Sequence, residues 1–126
     1  MSLVLDSGAL VALERNDRAM WRRLKAAHHA GQVPITHAGV LAQVWRGGGP
    51  RHALVARALA GIDVRAIDER LGRSTGELLG RARRSDVIDA ALVLLSADGD
   101  FIVTSDPDDI EPLATAAQRH IEVVLT

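Results

Sequence analysis

The sequence predicts an α/β protein: a three-layer α/β/α sandwich with a central, mainly parallel sheet, formed by residues 1–126 as one domain. Three observations predict it. Short β-prone runs at residues 3–5, 33–36, 62–67, 101–103 and 121–125 alternate with longer segments of helical periodicity, the pattern of a parallel sheet covered on both faces. The runs Leu3-Val4-Leu5 and Phe101-Ile102-Val103 are wholly apolar rather than alternating, as strands buried on both sides are. These two runs also lead into polar, acid-bearing turns, Asp6-Ser7-Gly8 and Thr104-Ser105-Asp106. Ligands of open α/β sheets gather at such strand ends.

Taken in order, the first strand gives way to Asp6-Ser7-Gly8 and then to the helical run Ala9-Leu10-Val11-Ala12-Leu13. Asp17 caps a helix through Ala30, with Met20, Leu24 and Ala27 on its inner face, and Gly31 ends it. After the second strand, residues 38–46 form a short helix with Val40, Leu41, Val44 and Trp45 apolar, halted by Gly47-Gly48-Gly49-Pro50. Helix 52–60 follows, then a strand with Val64 and Ile67 inward, then a helix capped by Asp68 and running to about Arg84. Ser85 is expected to cap the next helix, whose segment 90–97 is almost entirely apolar and therefore buried. Asp98-Gly99-Asp100 breaks it before the fourth strand. Asp106-Pro107 opens a last helix to about Gln118, and residues 121–125 close the sheet.

Within this frame, residues 85–110, SDVIDAALVLLSADGDFIVTSDPDDI, carry half of a predicted metal site. Asp86 and Asp89 are three apart and lie on neighbouring parts of one helix face. Asp106, Asp108 and Asp109 follow the fourth strand, and Asp6 follows the first. One crevice at the carboxyl edge of the sheet gathers Asp6, Asp86 and Asp106, with Asp89 and Asp109 as further ligands. Clustered carboxylates repel and raise one another's pKa unless a cation joins them, and an all-oxygen set selects a hard ion, Mg²⁺ or Mn²⁺. Against this stand plainer roles: Asp6 as an Asx-turn residue, Asp86 as an acid complementing a helix dipole, Asp106 as an N-cap before Pro107.

Composition narrows the class. With 126 residues, 48% hydrophobic and 25% charged, the chain has the material for one hydrophobic core. There is no cysteine, which removes disulfides, thiolate metal sites and cysteine nucleophiles. No apolar run reaches membrane-spanning length and MSLVLDSG has no signal-peptide character, so a cytoplasmic protein without membrane contact is expected. A net charge of −1 speaks against a strongly basic nucleic-acid coat. Fourteen arginines accompany the single Lys25. GGGPRH has neither dinucleotide nor P-loop spacing.

LVLDSGALVALE near the start, VLAQVW in the middle, then SDVIDA and VTSDPDDI together resemble a PIN domain of the VapC-like toxin type, over residues 3–125. The resemblance implies a small α/β nuclease that cuts RNA with Mg²⁺ or Mn²⁺, a homodimer, and a cognate antitoxin whose C-terminal tail fills the groove. It places the first acid of that family on Asp6, the third on Asp86 and the fourth on Asp106. The second position, usually Glu, holds Gln43, which offers an amide oxygen and no charge. Asp89 is then an added carboxylate one turn from Asp86. Gln43 is expected to line the pocket, Ser7 and Thr104 to hydrogen-bond the acids or substrate, and Arg46 and Arg84 to meet phosphate.

The five histidines show no metal-ligand spacing with the acids and are read as structural or surface residues. Trp21 and Trp45 are assigned to core or dimer packing. Two rival readings follow from the same residues. A PIN-like domain weakened by Gln43 would serve as an RNA- or protein-binding module. A phosphate-receiver domain also clusters acids at strand ends but needs a lysine beyond the last site strand, and Lys25 is elsewhere.

Overall fold

In a computed structural model of all 126 residues, the chain forms five strands and seven helices. They are, in order, β1 (Leu3–Leu5), α1 (Ser7–Glu14), α2 (Arg18–His29), β2 (Ile35–His37), α3 (Ala38–Val44), α4 (Pro50–Leu59), β3 (Asp63–Arg65), α5 (Glu69–Ala82), α6 (Val87–Leu95), β4 (Phe101–Thr104), α7 (Pro107–Ala116) and β5 (Glu122–Leu125). The sheet order is β3-β2-β1-β4-β5 and every pairing is parallel. Helices α1 to α4 pack together as one layer and α5 to α7 as the other, so the expected three-layer sandwich is present.

Local chemistry accounts for the boundaries. Asp17 caps α2 by accepting the Met20 N–H at 2.9 Å, and Met20, Leu24 and Ala27 are its buried residues. Asp68 caps α5 through the Leu71 N–H at 2.8 Å. Three starts differ from expectation. Helix α1 begins at Ser7, because Asp6 is itself the N-cap and the polar turn is the first helical turn. Helix α6 is capped by Asp86 rather than Ser85, its carboxylate accepting the Asp89 N–H at 3.0 Å. An aspartate reaches the N3 amide as well as a serine does, and Ser85 stays exposed outside the helix. Pro50 belongs to α4 at its first position, where a missing N–H costs nothing.

The core is continuous through both layers. Val4, Leu5, Ile102 and Val103 fill the central strands, with Leu10 and Leu13 from α1, Leu92 and Val93 from α6, and Ile110 and Leu113 from α7. The edge strand β3 is poorer: Val64 is only half-buried, as an edge covered on one side allows. At the far end of β4 the buried Asp100 carboxylate accepts the Ser2 and Ala97 N–H groups at 2.7 and 2.8 Å.

Chain order reverses across the centre of the sheet: from β1 the chain moves to β2 and β3 on one side and later to β4 and β5 on the other. The carboxyl ends of β1 and β4 therefore flank the topological switch point, where α/β sheets open a crevice. Asp6 directly follows β1 and Asp106 is two residues beyond β4.

Candidate active site

Asp6 is the fixed centre of this crevice. It is 6% exposed, and both carboxylate oxygens are engaged: Oδ1 accepts the Ser7 N–H at 2.7 Å and Oδ2 accepts the Thr104 hydroxyl at 2.7 Å. Thr104, fully buried at the end of β4, also accepts the Asp106 N–H at 3.0 Å. One hydroxyl thus ties the two acidic strand ends together. The approach of α1 to this loop requires Gly8, since a Cβ there would collide with the Ser105 side chain.

Asp89 is the electrostatic centre. Its pKa is pushed up to about 7, first by burial, then by the carboxylates of Asp6, Asp86, Asp109 and Asp106. Asp6, Asp86 and Asp106 were expected to form the core of the group, with Asp89 and Asp109 as further ligands. The order is different: Asp89, half-buried in the first turn of α6, is the carboxylate on which the other four act, and Asp86 is the exposed cap of the same helix. Both Asp108 and Asp109 are exposed on α7, but only Asp109 belongs to the group that acts on Asp89. One residue of helix rotation separates the two.

His37 supports the same point from below. At the end of β2 and fully buried, it caps α3 by accepting the Gly39 and Val40 N–H groups on Nδ1 at 3.1 and 3.3 Å. Nδ1 being an acceptor, Nε2 carries the proton and donates to the Ile88 carbonyl at 2.9 Å. Burial lowers the His37 pKa, opposed by the Ile88 hydrogen bond and the nearby Asp6 charge. A neutral imidazole therefore latches α3 to the first turn of α6, next to Asp89. Gly39 permits the closeness, because a Cβ there would run into Ile88 and the His37 ring. Reading the histidines as structural identified the role but not the place; a histidine at a strand end, two residues before a glycine in a helix start, was the available signal.

The remaining expected residues are distributed as follows. Ser7 serves Asp6 through its backbone N–H. Gln43 is exposed on the last turn of α3 rather than set into a pocket, since Val40 and Val44 take the buried face. Arg46 lies beyond the end of α3, its guanidinium donating to the Ala42 and Trp45 carbonyls at 3.0 and 2.8 Å. Arg84 is exposed, two residues ahead of Asp86. Trp21 packs as expected, with Nε1–H donating to the Leu13 carbonyl at 3.2 Å, while Trp45 is 39% exposed.

As they stand, no three acids converge on a point that would hold a metal ion. The donor set nonetheless fits one. Every charged group acting on Asp89 is a carboxylate, and no cationic side chain offsets them. Carboxylates without a counter-charge stay apart, and the one held in their midst keeps a proton.

No family model and no curated protein matches the sequence. Among solved structures, a chain of the VapBC2 complex from Rickettsia felis, bound to a DNA fragment from their promoter, superposes with a TM-score of 0.70 over 98% of each chain at 12% identity. That likeness shows the fold. The chain shares the α/β sandwich of that VapBC2 chain, and Asp6 and Asp106 follow the two strands that flank the switch point of its sheet.

Proposed function

We propose that the protein is a metal-dependent endoribonuclease that hydrolyses RNA phosphodiester bonds, and that it acts as the toxin of a toxin–antitoxin pair. The observation that carries this reading is the group of four carboxylates acting on Asp89, with no cationic side chain among the charges that act on it. The VapBC2 likeness in fold supports the toxin–antitoxin setting, with a cognate antitoxin as partner; a homodimer is proposed as the functional unit on the sequence resemblance alone. No helix is long and apolar enough to cross a membrane, in keeping with the proposed cytoplasmic site of action.

Asp6, Asp86, Asp89 and Asp106 would hold Mg²⁺ or Mn²⁺, with Asp109 at the margin. When bound, such an ion activates a water and neutralises charge on the phosphoryl oxygens. The protein's own contribution is positioning. Thr104 and the Ser7 N–H hold the Asp6 carboxylate in one orientation, Asp86 gives one oxygen to the Asp89 N–H and keeps the other outward, and His37 fixes the start of α6. A cation held by these carboxylates would favour the ionised form of Asp89. Arg84 and Arg46 are the proposed phosphate contacts. The test is cleavage of RNA in Mn²⁺ by the wild type and by Asp6→Asn; undiminished cutting by the variant would remove the mechanism.

A second reading rests on Gln43. A neutral, exposed residue on α3 supplies no charge to the crevice, as in a PIN-like module kept for RNA or protein binding. Calorimetric titration separates the two, because the nuclease binds Mn²⁺ in a manner abolished by Asp6→Asn and the module does not.

A further inference from the structure

A second site lies one helix-length from the acids. Helices α1 and α3 both start at the crevice, capped by Asp6 and His37, and both end at a cavity of about 260 Å³ lined by Glu14, Trp45, Arg46, Arg51 and His52. At 1.5 Å per residue the separation is roughly 10–12 Å, the length of about three stacked nucleotides. The volume falls below the roughly 300–1,000 Å³ of sites for larger small molecules, so the cavity suits a single planar group.

Its lining has the chemistry of a nucleotide. Trp45 follows the apolar face of α3 yet remains 39% exposed, and it meets the His52 ring edge-on with centroids 3.9 Å apart. Aromatic faces held open in this way stack unpaired bases. Neither Arg46 nor Arg51 pairs with a carboxylate; the ion pairs of the protein are Arg65–Asp63 and Arg73–Glu69. The Arg51 guanidinium has no hydrogen-bond partner, and Arg46, held by one nitrogen on the Ala42 and Trp45 carbonyls, keeps its other donors; such guanidinium donors suit phosphate. The Gly47-Gly48-Gly49 loop beside them has positive φ at Gly47 and Gly49, and nothing lies within 4 Å of a Cβ at Gly48 or Gly49, so backbone is open to a ligand. Glu14, the last residue of α1, is half-buried in the same cavity and also unpaired.

The geometry points to this cavity as a specificity pocket for an unpaired guanine nucleotide of the RNA, a reading that rests on the proposed nuclease function. The base stacks on Trp45, its phosphate meets Arg51 and Arg46, and the Glu14 carboxylate accepts the adjacent N1–H and N2–H donors. Among the four bases only guanine presents two neighbouring donors to one carboxylate. Uracil faces Glu14 with a carbonyl oxygen on each side of its single N–H and is disfavoured.

The experiment follows the indole N–H signals of the wild-type protein by NMR during titration with 5′-GMP, 5′-AMP, 5′-CMP and 5′-UMP, without divalent metal. The Trp45 signal moves saturably with GMP while that of Trp21 stays still, and UMP binds roughly 5- to 100-fold more weakly. Glu14→Gln removes the preference, and Arg51→Ala weakens all four nucleotides. A still Trp45 signal, or equal affinity for all four, overturns the pocket. The result is independent of cleavage: GMP binding by a protein that cuts no RNA would leave the pocket and remove the nuclease, and metal-dependent cutting without GMP binding would do the reverse. Asp6→Asn, folded as judged by the same spectra, keeps the GMP response.

Discussion

Replacing Asp89 by Asn isolates the electrostatic tension on which the site depends. The carboxyl group titrates near 7 in the fold against an ordinary value of 3.8, so between those values the folded state holds a proton that the unfolded chain has released. Stability therefore falls as pH rises through this window and is lowest above pH 7. A shift of about 3 units at about 1.36 kcal/mol each sets a ceiling of about 4 kcal/mol. Asp89 is only half-buried, and solvent screening reduces that to roughly 1–2 kcal/mol. Asn keeps the shape and removes the charge. In EDTA at pH 8 the variant is expected to melt roughly 3–8 °C above the wild type, and at pH 5, where Asp89 is already neutral, within about a degree of it. Millimolar Mn²⁺ at pH 8 raises the wild-type Tm and leaves that of the variant nearly unchanged. Scanning calorimetry at the two pH values decides the matter. A variant that is no more stable than the wild type at pH 8 in EDTA would show that the carboxylates do not act on one another as described.

Three other outcomes follow from the same geometry. Thr104→Val strips Asp6 and the Asp106 N–H of a shared buried partner and lowers stability by about 1–3 kcal/mol in urea titration, whereas Thr104→Ser keeps both hydrogen bonds and loses only a methyl group. His37 is neutral in the fold with a lowered pKa, so its contribution is complete above the unfolded value near 6.5 and is lost as pH falls below it. His37→Gln should be less stable at pH 7.5 by about 2 kcal/mol and lose that acid dependence, measured in an Asp89→Asn background to keep the opposite titration out. Gln43→Glu adds a carboxylate on the last turn of α3; calorimetry should show tighter Mn²⁺ binding by roughly 3- to 30-fold, and an unchanged affinity would place position 43 outside the metal site.

Much of this arrangement was legible in the residues. Wholly apolar runs at Leu3-Val4-Leu5 and Phe101-Ile102-Val103, each leading into an acid-bearing turn, disclosed the two strands that flank the switch point and the acids at their ends. Asp17 and Asp68 marked helix starts through side-chain caps that depend only on local chemistry. The failures share a cause. Ser85 and Asp86 are both good caps, and the choice depends on where α6 meets the sheet. The centrality of Asp89 over Asp86 depends on helix rotation, as does the separation of Asp109 from Asp108. Gln43 was expected in a pocket and is exposed, because the angle between α3 and the sheet follows from Gly39 fitting under Ile88 and from His37. Trp45, assigned to packing, sits where the triglycine loop leaves it open.

His37 and Asp89 titrate in opposite senses across the first turn of α6, and the opposition has a physical consequence. The Ile88 carbonyl accepts the hydrogen bond of His37 Nε2–H, and Asp89 is the next residue. Acid strengthens the crevice by neutralising Asp89 and weakens it by charging His37, so without metal the two slopes partly cancel between pH 5 and 7. A divalent ion breaks that balance: it favours the ionised carboxylate and so lowers the Asp89 pKa, leaving His37 as the group that sets the acid limit. Stability should then rise with pH where the Asp89 slope had opposed that rise before. A protein whose pH–stability curve keeps the same shape with and without Mn²⁺ would have its acids drawn together for some reason other than a cation.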